Sequence, residues 1–205
     1  MTPTDQKNHV QTHRPSRVTV ELLRRMPSGV RACDAALKWF TTMWPHGKAP
    51  LEEVLAEYPK PEWVVWYACH MLPKEKRVAL AYRFAGQACR HASHWNPQLV
   101  PYADDVTKLN WRSAVDAADV AIKTANNVAA KEAASYALEA VEAVITTSYS
   151  VEAAVTAARV AIAMIIACNL RDTAQAEQVQ WCAEALGLPQ YKRPLGDSLP
   201  RSTIS

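Results

Sequence analysis

The sequence predicts an all-α fold: a helical bundle of short, proline-started helices followed by an alanine-rich up-and-down helical array. The strongest indication is that residues 103–186 contain 24 alanines and neither proline nor glycine. Alanine has the highest helix propensity, whereas proline and glycine most disfavour a helix interior. A second indication is that apolar residues recur at steps of three and four along most of the chain, which is the period of an amphipathic helix.

The first half predicts short helices whose ends are set by proline. Helices are expected over residues 18–26, with Thr19 as a candidate N-cap, and over 30–44. Pro50, Pro61 and Pro73 then stand where further helices would begin, since the first turn of a helix tolerates proline. The last of these helices, over residues 74–94, has an apolar face formed by Val78, Tyr82 or Ala81, Ala85, Cys89 and Ala92.

The second half predicts three similar helices and a shorter closing one. Helix ends are expected near residues 126–127, 147–148 and 169, because Asn, Ser and Thr favour caps over helix interiors. The last helix, over residues 173–186, is followed by Gly187 and Pro189, a common helix stop. The expected apolar faces are, in chain order, Trp111, Val115, Ala118, Ile122, Ala125 and Ala129; then Ala134, Leu138, Val141, Ile145 and Ser148; then Val151, Val155, Ala158, Ile162, Ile165 and Asn169.

Composition divides the chain into four parts. Residues 1–17 are polar and are expected to be a flexible arm, and residues 18–96 form a tryptophan-rich helical subdomain. Residues 102–188 form the alanine-rich helical bundle, and residues 189–205 are expected to be a loose tail. The boundary is placed at residues 96–101, where two prolines interrupt the helical pattern.

The sequence is typical of a cytoplasmic protein that does not enter a membrane. Its five cysteines are widely spaced without a C-x-x-C motif, which favours reduced thiols in an intracellular setting. The longest apolar stretch, over residues 160–170, is too short to cross a bilayer. The opening residues also lack the apolar core of a secretory signal.

No motif for catalysis or for a cofactor occurs. Only five glycines are present, and neither nucleotide-binding loop pattern nor a G-x-S-x-G elbow is found. Paired carboxylates such as Asp104 and Asp105 suit helix starts or exposed faces. The expectation is therefore a protein that is not an enzyme and holds no cofactor.

A metal site has three weak candidates, Cys69, His91 and His94. His91 and His94 are three residues apart and share one face of a helix, a spacing that two imidazoles on one metal can use. The tight paired spacings of zinc motifs are missing. The favoured interpretation is a buried thiol and two histidines near a helix C-terminus, so no metal is predicted.

A basic stretch offers an alternative partner, a nucleic acid. It comprises Arg14, Arg17, Arg24, Arg25 and Arg31. Arginines that contact phosphates supply most non-specific affinity for nucleic acids. However, no aromatic residues for base stacking are interleaved with them, so an exposed basic surface is the favoured interpretation.

Four tryptophans are the candidate partner-binding residues: Trp39, Trp44, Trp63 and Trp66. Trp63 and Trp66 share one face of a proline-started helix, and Trp39 and Trp44 end an earlier helix. Core packing is the default role for such residues. Large aromatics on short helices are also frequent hot-spot anchors at protein interfaces.

The order of motifs resembles that of a helical protein family common in phage and prophage genomes, often labelled immunity proteins. The resemblance covers residues 31–189. Its motifs are ACDAALKW at 32–39, PKPEWVVW at 59–66, RVALAYRF at 77–84 and QVQWCAEALGLP at 178–189. It implies a non-enzymatic protein that binds and inhibits another protein, either a toxin or a host defence component, in the bacterial cytoplasm.

A third possibility is a structural, oligomer-forming phage protein. Residues 1–95 hold 14 Lys and Arg against 8 Asp and Glu, whereas residues 96–205 hold 9 against 12. This polarity would suit a homo-oligomer assembled head to tail, or it would orient a charged partner.

Overall fold

The computed structural model describes residues 16–103, 106–107, 110–147, 151–166 and 171–188. This part of the chain contains ten helices and one two-stranded sheet, which confirms the all-α bundle. The elements are β1 Arg17–Thr19, α1 Val20–Arg24, α2 Asp34–Met43, β2 Lys48–Pro50, α3 Leu51–Glu57, α4 Pro61–Met71, α5 Lys74–Ala92, a 3₁₀ helix Pro97–Tyr102, α6 Trp111–Thr124, α7 Val128–Thr147, α8 Val151–Ile166 and α9 Arg171–Ala185. The predicted arm and tail lie outside the described residues, except for residues 16 and 17.

The two-stranded sheet is a feature that the helical pattern did not predict. Strands β1 and β2 pair antiparallel, with Val18 opposite Ala49, and both of these residues are buried. The helix expected over residues 18–26 was therefore wrong at its start, where β-branched residues favour a strand. Thr19 does cap α1 as predicted, since its hydroxyl accepts a hydrogen bond from the Leu22 N–H at 3.1 Å.

Helix α5 is the central helix of the fold. It packs most extensively against α7 and α8 and also contacts α9. Residues 84–89 are all buried, so this stretch has no solvent face and the apolar face predicted from sequence is only part of its buried surface. The boundary predicted at residues 96–101 therefore separates two compositions, whereas the packing is continuous across it.

Alanines occupy the buried faces of the second half. Among the side chains of α6, α7 and α8 that the structure describes, the fully buried ones are mostly alanines, namely Ala114, Ala118, Ala121, Ala134, Ala137, Ala140, Ala154, Ala157 and Ala161. Of the residues predicted for these faces, Ala118, Ala134, Val141 and Ala158 are buried. Val115, Ile122, Leu138 and Val155 are half-buried, Ala129 and Ile145 are exposed, and the side chains of Ile162 and Ile165 lie outside the described residues. The predicted faces were therefore confirmed in part and were wrong at Ile145 and Ala129. Small side chains at the buried positions allow helix axes to approach closely.

Helix α9 packs mainly against α4, in the first half of the chain, and less extensively against α8 and α5. It ends as predicted at Gly187, whose φ of +93° lies in the left-handed region. The Leu188 N–H donates to the Ala183 carbonyl and the Gly187 N–H donates to the Glu184 carbonyl, which is the Schellman pattern. In the described part of the chain, no helix has the length and apolar character needed to cross a membrane.

Candidate binding site: a tryptophan-walled cavity

A cavity of about 600 Å³ opens between the first half of the chain and the alanine-rich array. Residues of α2, α3 and α4 line it together with residues of α8 and α9. A water molecule occupies about 30 Å³ in the liquid, so this volume far exceeds a packing defect. It falls within the usual range for ligand sites, roughly 300–1,000 Å³. We call it the tryptophan cavity.

The cavity has an apolar interior and a partly exposed mouth. Phe40, Leu55 and Val65 line the interior, and each is at most 3% exposed. The mouth is formed by Trp39, Trp63 and Trp66, which are half-buried. Three of the four tryptophans singled out in the sequence therefore line one site, and they expose ring surface where a partner can reach it.

The tryptophan rings at the mouth support one another. The Trp39 ring lies 5.4 Å from the Trp44 ring, at an interplanar angle of 89°, and 5.7 Å from the Trp63 ring. Edge-to-face and tilted pairs at these separations are favourable. Trp66 packs separately, with its ring centroid 4.5 Å from that of His70. Trp44 does not line the cavity but holds Trp39 in place.

Charged side chains surround this mouth. Arg31 and Arg159 are exposed cavity-lining residues, and Arg31 forms an ion pair with Asp34. Glu62 also lines the cavity and is half-buried. Both signs of charge are present, so the rim favours no single sign in an approaching molecule.

A buried amide network reaches the cavity from the central helix. Gln87 on α5 is fully buried, and its Nε2 donates to the Ala174 carbonyl at 3.1 Å and to Glu177 Oε2 at 2.8 Å. Gln87 Oε1 accepts a hydrogen bond from Gln178 Nε2 at 2.8 Å. Gln178 Nε2 also donates to the Ala158 carbonyl at 3.1 Å. The network therefore connects α5, α8 and α9.

This network fixes which atom of the Gln178 amide remains without a partner. The Gln178 nitrogen donates to two oxygens, Gln87 Oε1 and the Ala158 carbonyl, which can only accept. A flip that exchanged the nitrogen and oxygen of the Gln178 amide would therefore lose both hydrogen bonds. Gln178 Oε1 is buried and has no hydrogen-bond partner in the described structure, and Gln178 lines the cavity. A buried carbonyl oxygen without a hydrogen bond lowers the stability of the folded protein by about 1–3 kcal/mol.

Tyr67 carries a second buried polar atom without a partner in the described part of the chain. The residue lines the cavity and is 6% exposed, and its hydroxyl has no hydrogen-bond partner among the described residues. Burial raises the pKa of Tyr67 well above its usual value, because an apolar environment disfavours the phenolate. The hydroxyl therefore stays protonated at neutral pH and can donate as well as accept.

Tyr67→Phe is expected to stabilise the free protein by about 1 kcal/mol, because it removes a buried hydroxyl without a partner and keeps the ring. Urea denaturation followed by circular dichroism measures this change. Tyr136→Phe is the matched control, since Tyr136 is exposed on α7 and its replacement should change stability by less than about 0.5 kcal/mol. A loss of stability in Tyr67→Phe would contradict the assignment.

The three metal candidates do not form a site. Cys69 is fully buried on α4, His91 is half-buried on α5, and His94 is exposed beyond its end. No group of three or more His, Cys, Asp or Glu within the described residues suits a metal ion. Burial also raises the pKa of the Cys89 thiol to about 12, because an apolar environment disfavours the thiolate.

The arginines of the basic stretch are spread over several elements. Arg17 lies on β1, while Arg24 and Arg25 are exposed at the end of α1. Arg31 belongs to the cavity rim, where Asp34 offsets its charge. Arg14 lies outside the described residues.

Sequence reasoning missed the polar residues of the cavity, Tyr67 and Gln178, as well as Gln87. One signal was available, because Gln87 lies between Ala85 and Cys89 on the apolar face predicted for its helix. A glutamine at such a position needs buried partners.

Comparison of the chain with protein-family models, with curated proteins and with solved structures gives no match.

Proposed function

We propose that this protein is a non-enzymatic helical binding protein that recognises another protein and inhibits it. One observation carries the proposal: the partly exposed rings of Trp39 and Trp63 stand at the open mouth of an apolar cavity. Tryptophan is enriched among the few interface residues that supply most of the binding energy, and these residues lie in desolvated pockets. The contact surface in this proposal is the cavity mouth.

The surroundings of the mouth support this assignment. An apolar centre with a polar rim is the usual anatomy of a protein interface, and Arg31, Asp34 and Arg159 supply such a rim. Lys60 places its ammonium nitrogen 5.7 Å from the centre of the Trp63 ring. This cation–π contact orients the ring before a partner arrives.

The resemblance to phage and prophage proteins supplies the partner class. A protein of that kind would bind a toxin or a host defence component in the bacterial cytoplasm. Inhibition would follow if the partner's own functional surface were the part that covers the mouth.

Capture experiments with a paired variant test this proposal. Trp63→Ala is expected to weaken partner binding by at least about 30-fold, because truncation of a hot spot costs about 2 kcal/mol or more. The bait is the full chain, the prey is host-cell lysate, and bound proteins are identified by mass spectrometry. Affinity is then measured by calorimetry with the purified partner.

Trp95→Ala is the matched control. Trp95 is also partly exposed, at 38%, but it does not line the tryptophan cavity. A partner retained by this control and lost by Trp63→Ala supports the proposal. A partner that binds both variants as strongly as the wild type would contradict the assigned surface.

The described surface gives less support to the two alternatives. On α7 the exposed apolar side chains are Val128, Tyr136 and Ile145. At 100° per residue they point in three different directions, so α7 presents no continuous apolar face to a second copy. For a nucleic acid, Asp34 offsets the charge of Arg31, and the other described arginines of the basic stretch lie on β1 and at the end of α1.

A further inference from the structure

We propose that the mouth of the tryptophan cavity binds an amphipathic α-helix of the protein partner, and that this helix places an acidic residue beside Arg159. The inference rests on the proposed function and states which kind of segment the partner presents. Its support is the set of side chains that a partner can reach, the lack of reachable polar groups among them, and the charges of the rim.

Side chains from four helices form the walls that a partner can reach. Six apolar residues line the cavity and are half-buried: Ala36 and Trp39 on α2, Val54 on α3, Trp63 and Trp66 on α4, and Val155 on α8. Helix α2 packs more extensively against α1 than against α4 or α8, which leaves the mouth open between them. The cavity volume of about 600 Å³ corresponds to about 20 water molecules at roughly 30 Å³ each. This is room for several apolar side chains of a partner.

These walls offer no hydrogen bonds to an extended peptide. Gln178 Oε1 and the Tyr67 hydroxyl are buried out of reach, and Gln178 Nε2 already donates to two carbonyl oxygens. Of the two described strands, only Val18 lines the cavity, and it is buried, so no strand edge borders the mouth. An extended segment would therefore bury backbone N–H and C=O groups without partners, which is costly.

A helical segment avoids this cost. Its backbone hydrogen bonds are made within the segment itself, so only its side chains meet the walls. Helices that bind in apolar grooves use anchor side chains at steps of three and four along one face. The reachable surface of the cavity, apolar and lined by large aromatic rings, suits such anchors.

The rim charges indicate an acidic residue next to that apolar face. Arg31 and Asp34 form an ion pair within the rim, and Glu62 on α4 is half-buried. The rim as a whole carries both signs, so the preference is local to α8. There Arg159 lines the cavity and is exposed, and it forms no ion pair with another residue that the structure describes. A carboxylate of the partner would pair with its guanidinium group.

Selection from two peptide libraries tests the form of the contact. One library displays helical peptides of about 18 residues, or five turns, randomised along one face. The other displays randomised peptides of the same length with regularly spaced prolines, which exclude a helix. Both are selected against the immobilised full chain, and we expect enrichment from the helical library alone. Enrichment from the proline library alone, or from neither library, would overturn the inference.

The enriched helical peptides are then measured against variants by fluorescence anisotropy. Trp63→Ala should weaken their binding by at least about 30-fold, whereas Trp95→Ala should bind them like the wild type. A proline placed mid-peptide on the solvent-facing side should weaken binding by about 100-fold, because it disrupts the helix. Undiminished binding of the proline version would mean an extended bound form and would overturn the inference.

Charge reversal tests the role of Arg159. An enriched peptide is made with either Glu or Lys beside its apolar face, and the wild type should prefer the Glu version by about two- to fivefold at low salt. Arg159→Glu should reverse this preference. Lys131→Glu is the matched control, since Lys131 is exposed on α7 and does not line the cavity, and it should keep the wild-type preference. Equal affinities of the wild type for the two versions would overturn the role given to Arg159.

The peptide measurements and the lysate capture fail independently. Helical peptides that bind through Trp63 while no lysate protein does so would support the inference and contradict the proposed function. A captured partner that binds through Trp63 but is not displaced by the enriched peptide would overturn the inference and leave the proposed function standing. Self-association of the wild type that is lost in Trp63→Ala would identify a second copy of the chain as the occupant and would overturn both.

Discussion

Replacement of Gln87 by leucine is expected to lower the free energy of unfolding by about 3 kcal/mol. The substitution keeps a side chain of similar size but removes the donor to the buried Ala174 carbonyl, at 3.1 Å, and the acceptor for Gln178, at 2.8 Å. Each buried partner left without its hydrogen bond costs about 1–3 kcal/mol. The change is measured by urea denaturation, with circular dichroism reporting on the helices.

Gln180→Leu is the matched control for this substitution. Gln180 lies on α9, two residues beyond Gln178, but it is half-buried and donates only to Glu184 one turn away. Loss of such a pair on a helix surface costs about 0.5 kcal/mol or less. Equal destabilisation by Gln87→Leu and Gln180→Leu would show that the buried network contributes nothing specific.

The double variant Gln87→Leu with Gln178→Leu separates hydrogen bonding from packing. Removing both partners leaves fewer buried groups unsatisfied than removing one, and it also removes the carbonyl of Gln178 that lacks a partner. The double variant should therefore be about 1–2 kcal/mol more stable than the sum of the two single changes. Additive effects would mean that the two amides do not interact in solution.

Local signals in the sequence predicted the helices well, because their causes are themselves local. Thr19 caps α1, Pro61 begins α4 and Gly187 ends α9, as expected from the residue types at those positions. The sheet was not predicted, because β1 depends on pairing with β2 about 30 residues later in the chain. Three-residue strands give too short a pattern to stand out from helical periodicity.

The binding site was predicted in part. The sequence identified Trp39, Trp63 and Trp66 by residue type, and all three line the cavity. It could not indicate that α8 and α9 would bring Gln178 to the same space, because that requires the packing of α9 against α4. Buried amides such as Gln178 are recognisable only once their partners on other helices are known.

The buried faces of the alanine-rich helices were predicted only in part by periodicity. The predicted face of α7 contained Ala134 and Val141, which are buried, and also Ile145, which is 38% exposed. When alanines are abundant on every side of a helix, apolar periodicity no longer identifies one face. Close packing then places the smallest residues at the contacts, as with Ala137 and Ala140 on α7.

Ala137→Leu is therefore expected to lower the free energy of unfolding by about 3 kcal/mol, the upper part of the usual range for overpacking. Ala137 is fully buried on α7, which packs against α5, α6 and α8. Three extra carbon atoms have no free space between closely approaching helices, so a neighbouring helix must shift. Thermal and urea denaturation both report the loss.

Ala129→Leu isolates the packing contribution, because Ala129 lies on the same helix but is exposed. Both substitutions change helix propensity similarly, since leucine is nearly as good a helix former as alanine. Ala129→Leu should therefore change stability by less than about 0.5 kcal/mol. If Ala137→Leu were equally neutral, the helices would have to lie further apart than the buried alanines indicate, and close alanine packing could not be what sets their spacing.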